Sequence, residues 1–250
     1  MHFQLDIAEE DDFPALITAE WHAFENPLQR IFRLYSPIVN NDRAQSIADS
    51  TARQLTDNKT QDDDRKTQSY WIKVTDPETH AIVGGAQWIF ITEHSSEHED
   101  DVSSLAARHP AGGARVFATQ AFQILADVGT VNRRKLSRDR SYVYAYASLG
   151  SCFTIPEYRY RGVGGLLMRW GLKRVDECGM DAWIEAAPSA VPFYERHGFV
   201  QKEVLQLDPR RPEELSGEEA EEWDAAAREV LPVGVCIMHR PARNGCTNSE

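Results

Sequence analysis

The stretch Tyr158-Arg159-Tyr160-Arg161-Gly162-Val163-Gly164-Gly165 constrains the fold more than any other part of this chain. An apolar, aromatic segment from Tyr142 to Ile155 leads up to it, is closed by Pro156, and reads as a strand. Leu166 to Val175 follows and reads as an amphipathic helix. A strand, an Arg/Gly turn and a helix leave free backbone N–H groups at the positive end of a helix. Glycine lets the backbone approach an anion closely, and Arg159 and Arg161 add charge. The pattern therefore predicts a phosphate or pyrophosphate ligand.

Two phosphate-binding patterns do not fit. A P-loop needs Gly-Lys-Ser/Thr, whereas Leu166-Leu167 follows Gly164-Gly165. A dinucleotide fingerprint needs a third glycine where Leu167 stands. The elements before the turn also read as antiparallel hairpins, which argues against a doubly wound parallel sheet.

Along the chain, Phe3 to Ile7 alternates as a strand, and Asp11 or Asp12 is placed to cap a helix carrying Phe13, Leu16, Ile17 and Glu20 to Phe24. The segment from Asn26 to Pro37 is ambiguous. A helix is expected over Asp42 to Leu55, and strands over Ser69–Val74 and Ile82–Phe90 make a hairpin about the turn Thr75–Thr79. Glu93 to Gly113 reads as a loop and Arg115 to Lys135 as a long helix. Beyond the turn, Gly179 is placed to end the helix that reaches Cys178. A short strand covers Ala182–Ala186, and Ser189 is placed to cap a helix over Val191 to His197. Phe199–Leu207 and Val233–His239 read as strands. The insert between them carries Ser216-Gly217-Glu218-Glu219, a capping-box pattern for a helix reaching Val230.

The chain has 250 residues, of which 42% are hydrophobic, and no Pro/Gly/Ser-rich linker divides its middle, so one domain over residues 1–240 with a flexible tail at 241–250 is expected. A net charge of −12 argues against nucleic acid as a partner and suits a cationic amine. The acid gathers in Gln61–Asp64, Glu97–Asp101 and Glu213–Asp224, which read as solvated faces. No apolar run is long enough for a membrane span. Met1 to Asp6 lacks the basic-then-apolar pattern of a secretory signal, so a cytoplasmic location with nuclear access is expected. Cys152, Cys178, Cys236 and Cys246 have no metal or disulfide spacing, and the three in apolar context read as reduced core thiols. His94, His98 and His109 also lack ligand spacing, so no metal is expected.

The run Arg159-Tyr160-Arg161-Gly162-Val163-Gly164 fits an R/Q-x-x-G-x-G/A signature. Ile155-Pro156-Glu157-Tyr158 before it and Phe193-Tyr194-Glu195-Arg196-His197-Gly198-Phe199 after it complete a set that resembles the GNAT superfamily of acyl-CoA-dependent N-acetyltransferases. The strong similarity covers about residues 142–205, the expected CoA-binding core, while the insert at about 208–231 lies outside it. Phe153-Thr154, Trp170-Gly171 and Glu185-Ala186 are similar to fungal members. The resemblance implies an α/β (α+β) fold: a single domain with a mixed, mostly antiparallel twisted sheet, helices on its flanks and two splayed central strands.

It also implies a chemistry. The amides of Arg159, Tyr160, Arg161, Gly162, Val163, Gly164 and Gly165 would hold the pyrophosphate of acetyl-CoA, the co-substrate. The strand end at Cys152, Phe153 and Thr154 would pair with the pantetheine arm, and Ser189 stands near the place of a polar residue the family often carries. Tyr194 matches the tyrosine that protonates the departing thiolate. Family members with a Glu on the strand before the turn use it as base, but Tyr142 to Ile155 contains no carboxylate. Glu185 on the next strand and a water chain are then equal candidates. Arg159, Arg161, Tyr194 and Glu185 also have purely structural readings, as loop charges, a packing ring and a hydrogen-bonding carboxylate. His197 reads as a cation suited to a helix C-terminus. The expected activity is acetyl transfer to the primary amine of a small molecule. The alternatives are a peptide or protein acceptor, at an N-terminus or lysine, and a non-catalytic acyl-CoA-binding module.

Overall fold

The computed structural model describes residues 2–60, 67–92, 102–136 and 145–243. The acidic runs at 61–64 and 97–101, His94, His98, the strand start at 142–144 and Cys246 lie outside them. Seven strands form one sheet in the order β1-β2-β3-β4-β5-β7-β6. They are β1 (Gln4–Ile7), β2 (Thr67–Thr75), β3 (Ile82–Ile91), β4 (Tyr146–Thr154), β5 (Asp181–Ala186), β6 (Val200–Gln206) and β7 (Gly234–Arg240). Among the described strands only β4 and β5 run parallel. The helices are α1 (Phe13–Glu25), α2 (Arg30–Tyr35), α3 (Arg43–Thr60), α4 (Val102–Ala106), α5 (Gly113–Leu136), α6 (Val163–Glu177), α7 (Val191–Glu195) and α8 (Glu218–Val230).

Strand alternation divides the core between the two sheet faces. Ile72, Ala86, Trp88, Ala147, Ala182, Ile184 and Met238 point to one face and pack against Val163, Leu167, Met168 and Val175 of α6. Close packing there depends on Gly171, where a Cβ would lie 2.0 Å from the buried Trp88 ring. Trp71 and Phe153 point to the other face, against Phe13, Leu16, Ile17 and Trp21 of α1. Tyr146, Trp183 and Ile237 on that same face meet Phe117, Phe122 and Leu125 of α5 and Trp223 of α8.

Two irregularities shape the centre of the sheet. The β3–β4 register skips from Gln87↔Ser151 to Trp88↔Leu149, leaving Gly150 as the extra residue of a bulge, which bends a strand. The parallel β4–β5 pairing covers only Tyr146↔Asp181, Ala147↔Ala182 and Ser148↔Trp183. Beyond these the strands part, as expected.

Several local expectations change. The segment expected to be a loop up to Gly113 contains α4, and α5 begins at Gly113 itself. Asp12 does not cap α1; its carboxylate accepts from the Glu9 N–H and from Lys73. Ser189 caps nothing, because it lies inside a 3-10 turn, Pro188–Ala190, and α7 starts after it. The capping box at Ser216 is also absent: Gly217 is the N-cap of α8, in a positive-φ conformation. Cys178 is exposed rather than a core thiol. Within the ambiguous segment 26–37 the chain forms α2.

Candidate active site

The Arg/Gly turn joins β4 to α6. Pro156–Tyr158 makes a 3-10 turn, Tyr160 adopts φ 62°, and Gly162 at φ 91° is the N-cap of α6. The first helical bond runs from the Leu166 N–H to the Gly162 carbonyl, so Val163, Gly164 and Gly165 have no N–H acceptor within the helix. A Cβ at Gly162 would meet nothing within 4 Å, so the turn is open on that side. At Gly164 it would instead lie 3.1 Å from the Phe193 ring, which makes Gly164 a packing position as well as a donor.

The two arginines of the turn differ. Arg159 donates from Nε to the Thr154 carbonyl at 3.2 Å and from Nη2 to the Ala23 carbonyl at 2.8 Å. Its guanidinium thus clamps the end of β4 to the end of α1 rather than projecting toward an anion. Arg161 is exposed and stacks over the Tyr158 ring at 5.0 Å. It is the arginine free to meet a phosphate. Tyr160 is fully exposed beside it.

The edge of β4 facing the gap is accessible by backbone alternation. The Ile155 N–H bonds the Val83 carbonyl, so Ile155 and Phe153 face β3, while Cys152 and Thr154 turn their backbone groups to the other edge. That edge has lost β5. The Phe153 side chain is buried against α1 and Phe24, so this residue offers no side chain to a ligand. Ser189 is exposed in the turn after β5.

Tyr194 and Glu185 lie on opposite faces. Tyr194 is buried in the α6-side core between Phe193 and Phe199. Burial, and after it the neighbouring Cys152 thiol, raises its hydroxyl well above the ordinary tyrosine range, so it stays protonated. Burial alone pushes the Cys152 thiol up to about 12. Tyr194 and Cys152 of β4 thus share the α6-side core cluster. Glu185 follows Trp183 onto the α5 face, is exposed, and accepts from the Tyr35 hydroxyl at 3.4 Å.

One carboxylate not singled out from the sequence also belongs here. Glu20 is buried on the sheet-facing side of α1 and accepts from the Ser151 hydroxyl at 2.5 Å. Burial raises its pKa to about 7, with the Ser151 bond and Arg108 opposing. Its signal was present in the chain: Leu16, Ile17, Glu20, Trp21 and Phe24 share one helical face, so a charge sits on an apolar stripe. Glu20, through Ser151 of β4, and Glu185 of β5 flank the parted strands on the same sheet face. His109, by contrast, is buried and donates to the Leu34 carbonyl at 2.9 Å.

A mixed sheet whose two parallel strands part beside a glycine-rich helix start defines the GNAT fold class. Residues 118–201 match the model of the acetyltransferase (GNAT) domain family. No curated protein matches the chain by sequence. Among solved structures it is similar to a mosquito arylalkylamine N-acetyltransferase like 5b, at 13% identity and TM-score 0.61, with 96% of this chain and 100% of that one covered. The Drosophila melanogaster polyamine N-acetyltransferase gives 12% identity and TM-score 0.61, with the same coverage. A Corynebacterium glutamicum protein described as histone acetyltransferase HPA2 and related acetyltransferase gives 16% and 0.53, covering 99% and 100%. At these identities the likeness is one of fold. Among the described residues, no helix is long and apolar enough to cross a membrane.

Proposed function

We propose that this chain transfers an acetyl group from acetyl-CoA to the primary amine of a small molecule. The observation that carries this reading is the position of the open N–H groups at the start of α6, at the end of the strand edge that β5 has left. A pyrophosphate fits the first, and an amide-bearing arm fits the second. When bound, acetyl-CoA supplies an activated acyl thioester. The N–H groups of Val163, Gly164 and Gly165, with Arg161, hold its pyrophosphate. The backbone of Cys152 and Thr154 orients its arm.

The proton traffic divides between the faces. An alkyl ammonium must lose a proton before it attacks. Glu20, with a pKa of about 7, is a base matched to neutral pH, and its bond from Ser151 fixes the carboxylate beside β4. Glu185 attracts the cation from the β5 side. Tyr194, kept protonated by burial, donates to the leaving thiolate from the opposite face.

A small acceptor is favoured over a peptide by α8. A peptide needs an open groove between the N-terminal helices and the β6–β7 hairpin. In this chain α8 packs into that region, and Arg30 of α2 donates from Nη1 to the carbonyls of Arg228, Glu229 and Leu231. The arylalkylamine and polyamine enzymes of the same fold act in the same sense. Thiol release with small primary amines and with peptides bearing free N-termini and lysines tests the choice. Turnover of small amines is expected; turnover of peptides alone would move the acceptor to the protein class. Binding of CoA with no turnover of either would leave a non-catalytic module.

A further inference from the structure

A cavity of about 420 Å³ opens between α3, α4 and the start of α5, and three arginines line it: Arg53, Arg108 and Arg115. Each is held by neutral oxygens. Arg53 donates to the Ser50 hydroxyl at 2.8 Å, Arg108 to the Tyr35 carbonyl at 3.2 Å, and Arg115 to the His109 carbonyl at 3.1 and 2.9 Å. A guanidinium carries five N–H donors, so each has more than these bonds use. Among the described residues, none of the three forms an ion pair with a carboxylate within 4 Å.

The other charges facing the cavity do not satisfy them. Asp49 lines the wall, accepts from the Gln45 amide at 2.8 Å and attracts Arg53 without forming an ion pair with it. Asp57 on α3 attracts Arg53 and Arg108 at longer range. His109 is pushed toward its neutral form, first by burial and then, against its bond to Leu34, by Arg108 and Arg115. Arg53 and Arg108 repel one another in a half-buried setting, which an anion between them would relieve.

The cavity adjoins the acceptor side of the site. Tyr35 connects the two: its carbonyl accepts from Arg108, and its hydroxyl donates to Glu185. Arg108 is also close enough to Glu20 for each to feel the other's charge. Of the three guanidiniums, that of Arg108 is the one whose charge reaches Glu20, so it stands nearest to an amine held there.

We infer that the cavity seats an anionic group, a carboxylate or a phosphate, on the far end of the amine acceptor. This rests on the acetyltransferase reading and narrows its substrate class to amines with an oxyanion. Guanidinium forks suit both groups. The overall charge of −12 favours cationic ligands at long range, so the arginine cluster is a local exception that selects at close range.

The test compares matched acceptors: ethanolamine with O-phosphoethanolamine, and butylamine with γ-aminobutyrate. In the wild type, kcat/KM for at least one anionic member should exceed that of its neutral partner by about tenfold or more. The phosphate and carboxylate arms show which oxyanion is preferred. The Arg53→Gln/Arg108→Gln double variant should bring the ratio close to one, and Arg53→Lys/Arg108→Lys should keep part of it. Equal or better use of both neutral amines, or a ratio unchanged in the glutamine variant, would overturn the inference. A second readout does not depend on catalysis. Inorganic phosphate and acetate are titrated calorimetrically into Gly162→Asp protein, whose α6 turn repels anions, with and without the glutamine pair. Binding weakened about fivefold or more by the glutamine pair supports the inference even if no amine is acetylated. Equal binding, or none in either protein, contradicts it.

Discussion

At the scale of single residues, the proposed site contains two groups whose environments pull their proton affinities in useful directions. Tyr194 is held protonated by burial, and Tyr194→Phe removes the hydroxyl while keeping the ring between Phe193 and Phe199. Loss of a general acid should lower kcat about 10²-fold with little change in CoA affinity. An unchanged kcat, with chemistry limiting, would make Tyr194 a packing residue. Glu20 has its proton affinity raised to about 7, so its ionised form grows in as pH rises through that value. The rate should rise along a limb near pH 7 in the wild type, and Glu20→Gln should lose both that limb and most of the rate. Stability carries the opposite sign. The folded state binds the Glu20 proton more tightly than the unfolded chain, so stability falls as pH rises from the ordinary glutamate range to about 7. Denaturation of Glu20→Gln should lack that decline. Tyr194 was singled out because a sequence motif surrounds it. Glu20 was not, because a carboxylate on an apolar helix face shows its burial but not its partner, and Ser151 lies 131 residues away.

At the scale of elements, the turn and α6 do most to position the proposed site. Gly162 combines φ 91° with open space around its missing side chain, and Asn and Asp tolerate that backbone better than other residues. Gly162→Asp should fold and weaken CoA binding about tenfold or more by charge repulsion, while Gly162→Asn should keep much of the affinity. Calorimetry with CoA separates them, and equal affinity in both would remove the turn from the binding site. Farther along α6, Gly171→Ala forces a methyl into the Trp88 ring and should cost about 1–3 kcal/mol in denaturant unfolding. Hydrophobic alternation and helical spacing made the β2–β3 hairpin, α1, α5 and α6 readable. The five-residue α4 was not, since one turn carries too little periodicity to see. The caps at Ser189 and Ser216 failed for a related reason: each pattern was right in composition and out of place by a residue or more relative to the actual helix start.

At the scale of the whole molecule, the insert between β6 and β7 is part of the core. Trp223 of α8 is buried against Phe117, Glu222 accepts from the Gly113 N–H at 2.8 Å, and Arg30 donates to the carbonyls that end α8. Trp223→Ala should therefore cost about 3–5 kcal/mol, measured by chemical denaturation. Pairing order is non-local, so the place of β7 between β5 and β6 could not be read from the chain, and the splay of β4 from β5 came from resemblance. Both follow from long-range packing: the Gly150 bulge bends β4, and β7 occupies the free side of β5. The sheet thereby places α6 on one face and α1 on the other beside the point where β4 and β5 part. Protein supplied with acetyl-CoA and a series of small primary amines should yield free thiol and N-acetylated amine in equal amounts. The rate should rise through pH 7 in the wild type and not in Glu20→Gln. Thiol released without acetylated amine, or CoA bound with neither product formed from any amine, would contradict it.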